Sequence, residues 1–257
     1  MNYIGIDIGS TCAKTVVLNE KKEIIQEFVQ PTGWSSVDTA EEIHQKLELA
    51  GISLSDDSSC CVATGYGRIS VPYADKAVTE ITCHALGAVH LFHQPDLTVI
   101  DIGGQDTKII QIEQGFVKDF IMNDKCAAGT GRFLEVMANT LSLRPNEMFD
   151  LARLGSDTTI SSMCTVFAES EVIGLIGKGE PKENIAYAVV DSTIRKVTAQ
   201  LSRMNGEMST FCLTGGLCEC EYIREALSKK LGKEVISSPD ARYAGAIGAA
   251  LSAMKIR

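Results

Sequence analysis

Two aspartates 94 residues apart stand in the same short string. Ile6-Asp7-Ile8-Gly9-Ser10-Thr11-Cys12-Ala13-Lys14 overlays Ile100-Asp101-Ile102-Gly103-Gly104-Gln105-Asp106-Thr107-Lys108, with Ile, Asp, Ile, Gly and Lys in matching places. An apolar run follows each, Thr15-Val16-Val17-Leu18 and Ile109-Ile110-Gln111-Ile112. Strand, glycine turn and second strand read as a β-hairpin. The turn chemistry suits phosphate. Gly9 and Gly103 let backbone amides approach an anion with no Cβ in the way. Ser10 and Thr11 add hydroxyl donors, and Gln105 adds an amide. Asp7 and Asp101, at strand ends, suit Mg²⁺ held through waters, because that ion keeps much of its hydration shell.

A second pair of strings concerns thiols. Nine cysteines occur, at 12, 60, 61, 83, 126, 164, 212, 218 and 220. Asn123-Asp124-Lys125-Cys126-Ala127-Ala128-Gly129-Thr130-Gly131-Arg132 is a polar, glycine-rich loop opening onto a helix. Ser161-Ser162-Met163-Cys164-Thr165-Val166-Phe167-Ala168-Glu169-Ser170 has the same plan. A cysteine at or just before a helix N-terminus is held toward thiolate, the metal-binding form. The other seven cysteines lack that placement on this reading, Cys218 and Cys220 forming a C-x-C pair on an exposed turn. Two thiolates are too few for an iron–sulfur cluster, which wants four. A twofold dimer repeats the same patch from each subunit and supplies them. The expectation is one 4Fe-4S cluster per dimer, held by Cys126 and Cys164 of both chains. The spacing itself is not a recognised metal pattern, so two unrelated buried cysteines remain the alternative at this point.

The elements that must position these residues follow from periodicity. Two related hairpins heading two halves imply a duplicated architecture whose lobes close on one Mg-nucleotide. A chance match of two glycine hairpins is the plain alternative, and the shared aspartate and lysine weigh against it. Helices are expected over 38–50, 75–93, 131–142, 146–154, 165–177, 182–205, 219–231 and 243–255. Strands are expected at 60–63, 97–112, 116–122, 211–213 and 234–237. Thr214-Gly215-Gly216 links a strand to a helix, where a nucleotide can lie on bare backbone; a plain βα turn is the competing reading. The last helix, Ala244-Gly245-Ala246-Ile247-Gly248-Ala249-Ala250, can pack closely through its small residues. Lobe I takes 1–95 plus 242–257, and lobe II takes 96–241.

Composition narrows the class. The 257 residues are 45% hydrophobic and 22% charged, ordinary values for a globular protein. A net charge of −9 argues against nucleic acid or an anionic membrane as main partner. No 18-residue apolar run and no signal-peptide pattern occur, and a core of this size needs no disulfide framework, so cytoplasmic thiols are expected. The absence of G-x-x-x-x-G-K-[ST], and of G-x-G-x-x-G after the first strand, disfavours P-loop and dinucleotide folds.

Taken together, Gly5-Ile6-Asp7-Ile8-Gly9-Ser10-Thr11, Asp101-Ile102-Gly103-Gly104-Gln105-Asp106, Asn123 through Phe133 and Cys164-Thr165-Val166-Phe167-Ala168-Glu169-Ser170 resemble the activator component of 2-hydroxyacyl-CoA dehydratases. That family includes the ATPase subunits of benzoyl-CoA reductases and the reductases of double-cubane-cluster proteins. The resemblance spans nearly the whole chain, and the Cys126 string is its most specific part. It implies an α/β protein with the acetate kinase–chaperone–actin fold, two ribonuclease H-like lobes with a nucleotide cleft between them. It implies a homodimer with one 4Fe-4S cluster on Cys126 and Cys164 of both chains. It implies that ATP binding and hydrolysis to ADP, with Mg²⁺, drive one electron from ferredoxin or flavodoxin to an iron–sulfur acceptor protein. Asp7, Asp101 and Gln105 would act in hydrolysis. The ATP set would be Gly9, Ser10, Thr11, Lys14, Gly103, Gly104, Gln105, Asp106, Gly129, Thr130, Gly131, Gly215 and Gly216. Two rivals stand beside this reading: a small-molecule kinase of the same fold with structural cysteines, and a nucleotide-gated binding module without redox activity.

Overall fold

The computed structural model describes residues 1–54, 57–162, 164–204, 206 and 210–256. In chain order its first elements are β1 (Asn2–Ile8), β2 (Cys12–Leu18), β3 (Ile24–Pro31), α1 (Ser36–Leu49), β4 (Ser59–Thr64), β5 (Lys76–Ala77) and α2 (Glu80–Phe92). Next come β6 (Leu97–Ile102), β7 (Thr107–Glu113), β8 (Phe116–Asn123), α3 (Gly131–Thr140), α4 (Pro145–Ala152), α5 (Thr165–Gly177) and α6 (Lys182–Leu201). The chain closes with β9 (Thr210–Gly215), α7 (Glu221–Leu231), β10 (Val235–Ile236) and α8 (Ala244–Ala253).

Two compact units emerge. One comprises Met1–Leu97, Ile110–Asp119 and the chain from Pro239 onward; the other comprises Thr98–Ile109 and Phe120–Ser238. The first sheet has the order β3-β2-β1-β4-β5. β1 and β2 form the expected antiparallel hairpin with Asp7 opposite Lys14, and β4 runs parallel to β1 with Thr64 beside Asp7. Ile4, Ile6 and Ile8 pack with Ile43 and Leu47 of α1, while Val16 and Leu18 pack with Ala246, Ile247 and Ala250 of α8. Each of the valine, leucine and isoleucine side chains among them, once buried, contributes roughly 1.5–3 kcal/mol. The second sheet has the order β10-β9-β6-β7-β8. Ile100, Ile102 and Ile109 from it share a core with Phe133, Leu134 and Met137 of α3, Val189 and Ile194 of α6, and Leu213 of β9. That apolar stripe pins α3, the helix after Cys126.

Several boundaries differ from those the periodicity predicts. Residues 24–31 form β3, which the pattern did not reveal: its exposed and half-buried positions alternate at the sheet edge, and charged Glu27 interrupts the apolar run. The helix expected from 75 starts at Glu80, because the preceding residues join β4. The Asp75 amide donates to the Cys61 carbonyl at 2.8 Å and the Val78 amide to Ala63 at 2.9 Å. α1 starts earlier than 38, with Ser35 as its cap accepting from the Asp38 amide. The run expected over 97–112 is broken by the turn at 103–106. α6 ends at Leu201; position 205, the end of the expected helix, lies outside the described residues, as does Met163 of the Cys164 string.

Candidate functional site

The second glycine turn is closed by a bond between its own residues. The Gly103 amide donates to the Asp106 carbonyl at 2.9 Å. A Cβ on Gly103 would come within 2.1 Å of Asp106 Oδ1. Asp101 is buried; its Oδ1 accepts from Thr214 Oγ1 at 2.7 Å, and its Oδ2 lies 3.3 Å from Lys108 Nζ. The same ammonium lies 2.6 Å from Asp106 Oδ2, so one buried lysine balances two carboxylates. Gln105 and Gly216 are exposed, free of the core and able to meet a ligand.

The first turn repeats the plan with different partners. The Gly9 amide donates to the Cys12 carbonyl at 3.1 Å, and Thr32 Oγ1 donates to the Gly9 carbonyl at 2.7 Å. Ser10 and Thr11 are exposed, and Lys14 is half-buried. Asp7 is buried, with His84 Nε2 3.9 Å from its Oδ2. A further echo appears in the strand beside each aspartate. Gly65 (φ +83°) follows β4 and Gly215 (φ +85°) ends β9; a Cβ on either would strike the neighbouring aspartate, 2.4 Å from Asp7 Oδ1 and 2.9 Å from Asp101 Oδ1. In this backbone region a side chain also costs about 1–2 kcal/mol. Each aspartate therefore rests against a glycine required on two counts.

The Cys126 loop is tied to that second turn. Asn123 Nδ2 donates to the Cys126 carbonyl at 2.8 Å, and Thr107 Oγ1 donates to the Gly129 carbonyl at 3.0 Å. Thr130, the N-cap of α3, turns its hydroxyl to the Ala127 carbonyl at 2.6 Å. The first two amides of α3 then donate to the turn itself, Gly131 to the Gly103 carbonyl at 2.9 Å and Arg132 to Gly104 at 2.8 Å. Cys126 thus lies four residues before the cap, and the α3 terminus is engaged by the turn. Cys164 fits the expectation better: it is exposed and is itself the N-cap of α5, in extended conformation.

Two sequence expectations about the other thiols need correction. Cys220 also caps a helix, α7, so helix-terminal placement is not confined to Cys126 and Cys164. Burial pushes the Cys220 thiol up, against the opposing pull of the Ile223 and Tyr222 amides. Cys218 is buried rather than on an exposed turn, with its carbonyl accepting from Ser237 Oγ at 2.8 Å. Cys60, Cys61, Cys83 and Cys212 are buried as well.

Sequence reasoning missed Lys108, Thr214, Gly65 and His84. The signal for Lys108 was present, since the internal overlay matches it to Lys14. It also missed what holds the Cys164 loop. The Glu171 carboxylate accepts from the Ser161 amide at 3.1 Å, from the Ser162 amide at 3.1 Å and from Ser161 Oγ. Burial pushes Glu171 up, but those donors outweigh it and hold the carboxyl below its usual range.

The residues present can be weighed against the groups they would hold. Asp101 already contacts Thr214 and Lys108, which suits an outer-sphere hold on hydrated Mg²⁺. Cys126 and Cys164 are the least buried thiols beside Cys12 and Cys220. Their loops border one cavity of about 250 Å³, lined by Ala128, Gly129, Ser161, Ser162 and Arg195. Among the described residues no group of three or more His, Cys, Asp or Glu side chains could hold a metal ion. On α5, Val166, Phe167, Ile173 and Ile176 are exposed apolar side chains.

Duplicated sheets, each ending in a buried aspartate beside a glycine turn, define the actin-like ATPase fold. Within that class, the profile of the BadF/BadG/BcrA/BcrD ATPase family matches residues 4–253, and the chain belongs to this family. The (R)-2-hydroxyglutaryl-CoA dehydratase activating ATPase of Acidaminococcus fermentans is 45% identical over 98% of this chain and 96% of its own length. The crystal structure of A. fermentans (R)-2-hydroxyglutaryl-CoA dehydratase component A superposes with a TM-score of 0.91 at 42% identity, covering 100% of this chain and 98% of the other. The activator of the 2-hydroxyisocaproyl-CoA dehydratase from Clostridium difficile, with bound ADPNP, gives 0.89 at 34% identity, covering 100% and 95%. Among the described residues no helix is long and apolar enough to cross a membrane.

Proposed function

We propose that this chain is an ATP-dependent electron activator. It works as a homodimer, taking one electron from ferredoxin or flavodoxin and passing it to an iron–sulfur acceptor of the 2-hydroxyacyl-CoA dehydratase or double-cubane type. The named relatives support the activator role. The observation that carries the coupling is the pair of bonds from the Gly131 and Arg132 amides to the Gly103 and Gly104 carbonyls. The turn that would face the nucleotide phosphates and the helix after Cys126 are thereby one mechanical piece, so a change at the turn moves the cysteine loop.

In this reading Gly9, Ser10, Thr11, Gly103, Gly104 and Gln105 cradle the phosphates, and Gly215 and Gly216 lie along the nucleoside. Lys14, Asp106, Gly129, Thr130 and Gly131 complete the set, the last four acting chiefly through the turn and loop they build. Asp7 and Asp101 orient hydrated Mg²⁺, and Gln105 orients the attacking water. Cys126 and Cys164 of both copies hold a 4Fe-4S cluster, which supplies the one-electron couple. The positive end of α5 favours negative charge beside Cys164, by about 0.5 kcal/mol. Over the two copies that is roughly 40 mV for a one-electron couple, a tuning effect; nucleotide-driven movement and partner docking must supply the larger part.

The test is iron and sulfide per chain, electron paramagnetic resonance and molecular mass, all on protein purified without oxygen. Two irons per chain in a dimer is the expected result. An iron-free monomer that phosphorylates a small molecule would replace this reading with a kinase. An iron-free chain that binds partners only with ATP would replace it with a nucleotide-gated binding module.

A further inference from the structure

Ile160, Ser161 and Ser162 run up to Cys164 with no regular secondary structure. The α5 cap fixes the backbone of Cys164 itself, whose carbonyl accepts from the Ala168 amide at 2.8 Å, but Ile160, Ser161 and Ser162 before it have no fixed course unless side chains supply one. Two side chains from two helices do so. Glu171, on the second turn of α5, draws the segment back onto the very helix that Cys164 caps. Ser161 offers it an amide 3.1 Å from both carboxylate oxygens and a hydroxyl 3.1 Å and 3.3 Å from them, and Ser162 adds an amide at 3.1 Å. From α6, Arg195 Nη2 donates to the Ile160 carbonyl at 2.9 Å, and the guanidinium pairs with the Asp191 carboxylate one turn earlier, Nε lying 2.9 Å from Oδ2. The next residue, Lys196, lays its stem against the Cys126 loop: a Cβ on Gly129 would fall 2.8 Å from Lys196 Cγ. One turn of α6 therefore touches both cysteine loops.

We propose that Glu171 and Arg195 are positioning residues that set where the Cys164 sulfur stands relative to the Cys126 loop. The inference rests on the cluster reading given above and deepens it. Neither side chain need touch the cluster. They act as outer partners of a ligand do, by orienting the group that binds; removing such partners typically weakens metal binding 10–100-fold. A bond-rich carboxylate is used because two charge-assisted amide bonds fix two successive peptide planes.

The test compares wild type, Glu171→Ala and Glu171→Gln as full-length, anaerobically prepared dimers. Iron release to a chelator is followed together with deuterium exchange of the peptide covering 158–164. The expectation for Glu171→Ala is iron release about tenfold faster or more, faster exchange confined to that peptide, and an altered resonance spectrum of the reduced protein. Glu171→Gln keeps the volume and one acceptor oxygen, so it should fall between and remain readable if the alanine variant folds poorly. Iron release, exchange and spectrum in both variants matching wild type would overturn the proposal while leaving the cluster reading intact. A wild-type protein without iron would overturn both.

Discussion

The Gly131 amide donates to the Gly103 carbonyl at 2.9 Å, joining the first residue of α3 to the glycine of the second turn. Proline suits the first helical position, and Thr130 before it is already extended (φ −118°, ψ 171°). Gly131→Pro removes this donor and sets the ring Cδ where the N–H pointed, against the Gly103 carbonyl, so the start of α3 must part from the turn; the lost hydrogen bond alone costs about 1 kcal/mol. The expected outcome is a folded, iron-bearing protein in which ATP and ADP no longer differ in their effect on iron accessibility. Chelation rates with each nucleotide check it; a persisting difference would show that coupling runs elsewhere.

Asp101 shares Lys108 with Asp106 and takes a hydrogen bond from Thr214. Asp101→Asn should keep the fold and bind nucleotide, because the amide retains an acceptor for Thr214. Hydrolysis should fall by ~100-fold, the scale of loss when a group that positions the reactants is removed. Steady-state turnover and ADP affinity, measured together, separate the two effects.

Gly215→Ala forces a side chain into φ +85° and sets its Cβ 2.6 Å from the Ile102 carbonyl and 2.9 Å from Asp101 Oδ1. A cost of about 1–3 kcal/mol is expected, with weakened ADP binding. Thermal unfolding with and without ADP reads both, and an unchanged Tm would contradict the close approach. Gly216→Ala, where no atom lies within 4 Å of the added methyl, is the matched control.

Cys126→Ala and Cys164→Ala should each abolish the cluster's absorbance while nucleotide still binds. A variant retaining full iron would remove that cysteine from the ligand set. In the apo chain, Cys164 and Cys126 should alkylate well ahead of Cys60, Cys61, Cys83 and Cys212, which are buried.

Burial raises Cys83 to about 11, and it also raises Cys61 and Cys212. At pH 8 only about one Cys83 in a thousand is ionised, so alkylation there is negligible. The sign for stability follows. Below the ordinary thiol value of about 8.5 both folded and unfolded chains keep these protons. Above it the unfolded chain releases them and the folded one does not, so stability should decline as pH rises from about 8.5 toward 11. Denaturant midpoints across that range test it; a flat profile would mean these thiols are not buried.

The hairpins at 7 and 101 were legible because glycine turns and apolar runs are local, and their repetition gave each a second witness. The helices after 131 and 165 were legible by period. The edge strand at 24–31 was not, since its inner positions are only half-buried. The approach of Gly65 to Asp7 and of Gly215 to Asp101 was also hidden, because each glycine reaches its aspartate from a neighbouring strand of the sheet, and sequence distance carries no trace of that contact. Glu171 looked like one more charge on a helix until the Ser161–Ser162 segment folded back onto it.

The sequence alone determined the chemistry available to this protein: paired aspartates at glycine turns, two thiols in polar segments that open onto helices, and family membership written in those strings. Only the tertiary structure decided which neighbours those groups have. It bound the α3 amides to the phosphate turn, set Lys108 between two carboxylates and clamped the Cys164 segment from two helices. Residue types and short spacings are properties of a local chain, whereas hydrogen-bond partners and burial arise when distant segments are brought together by the cores of the two sheets.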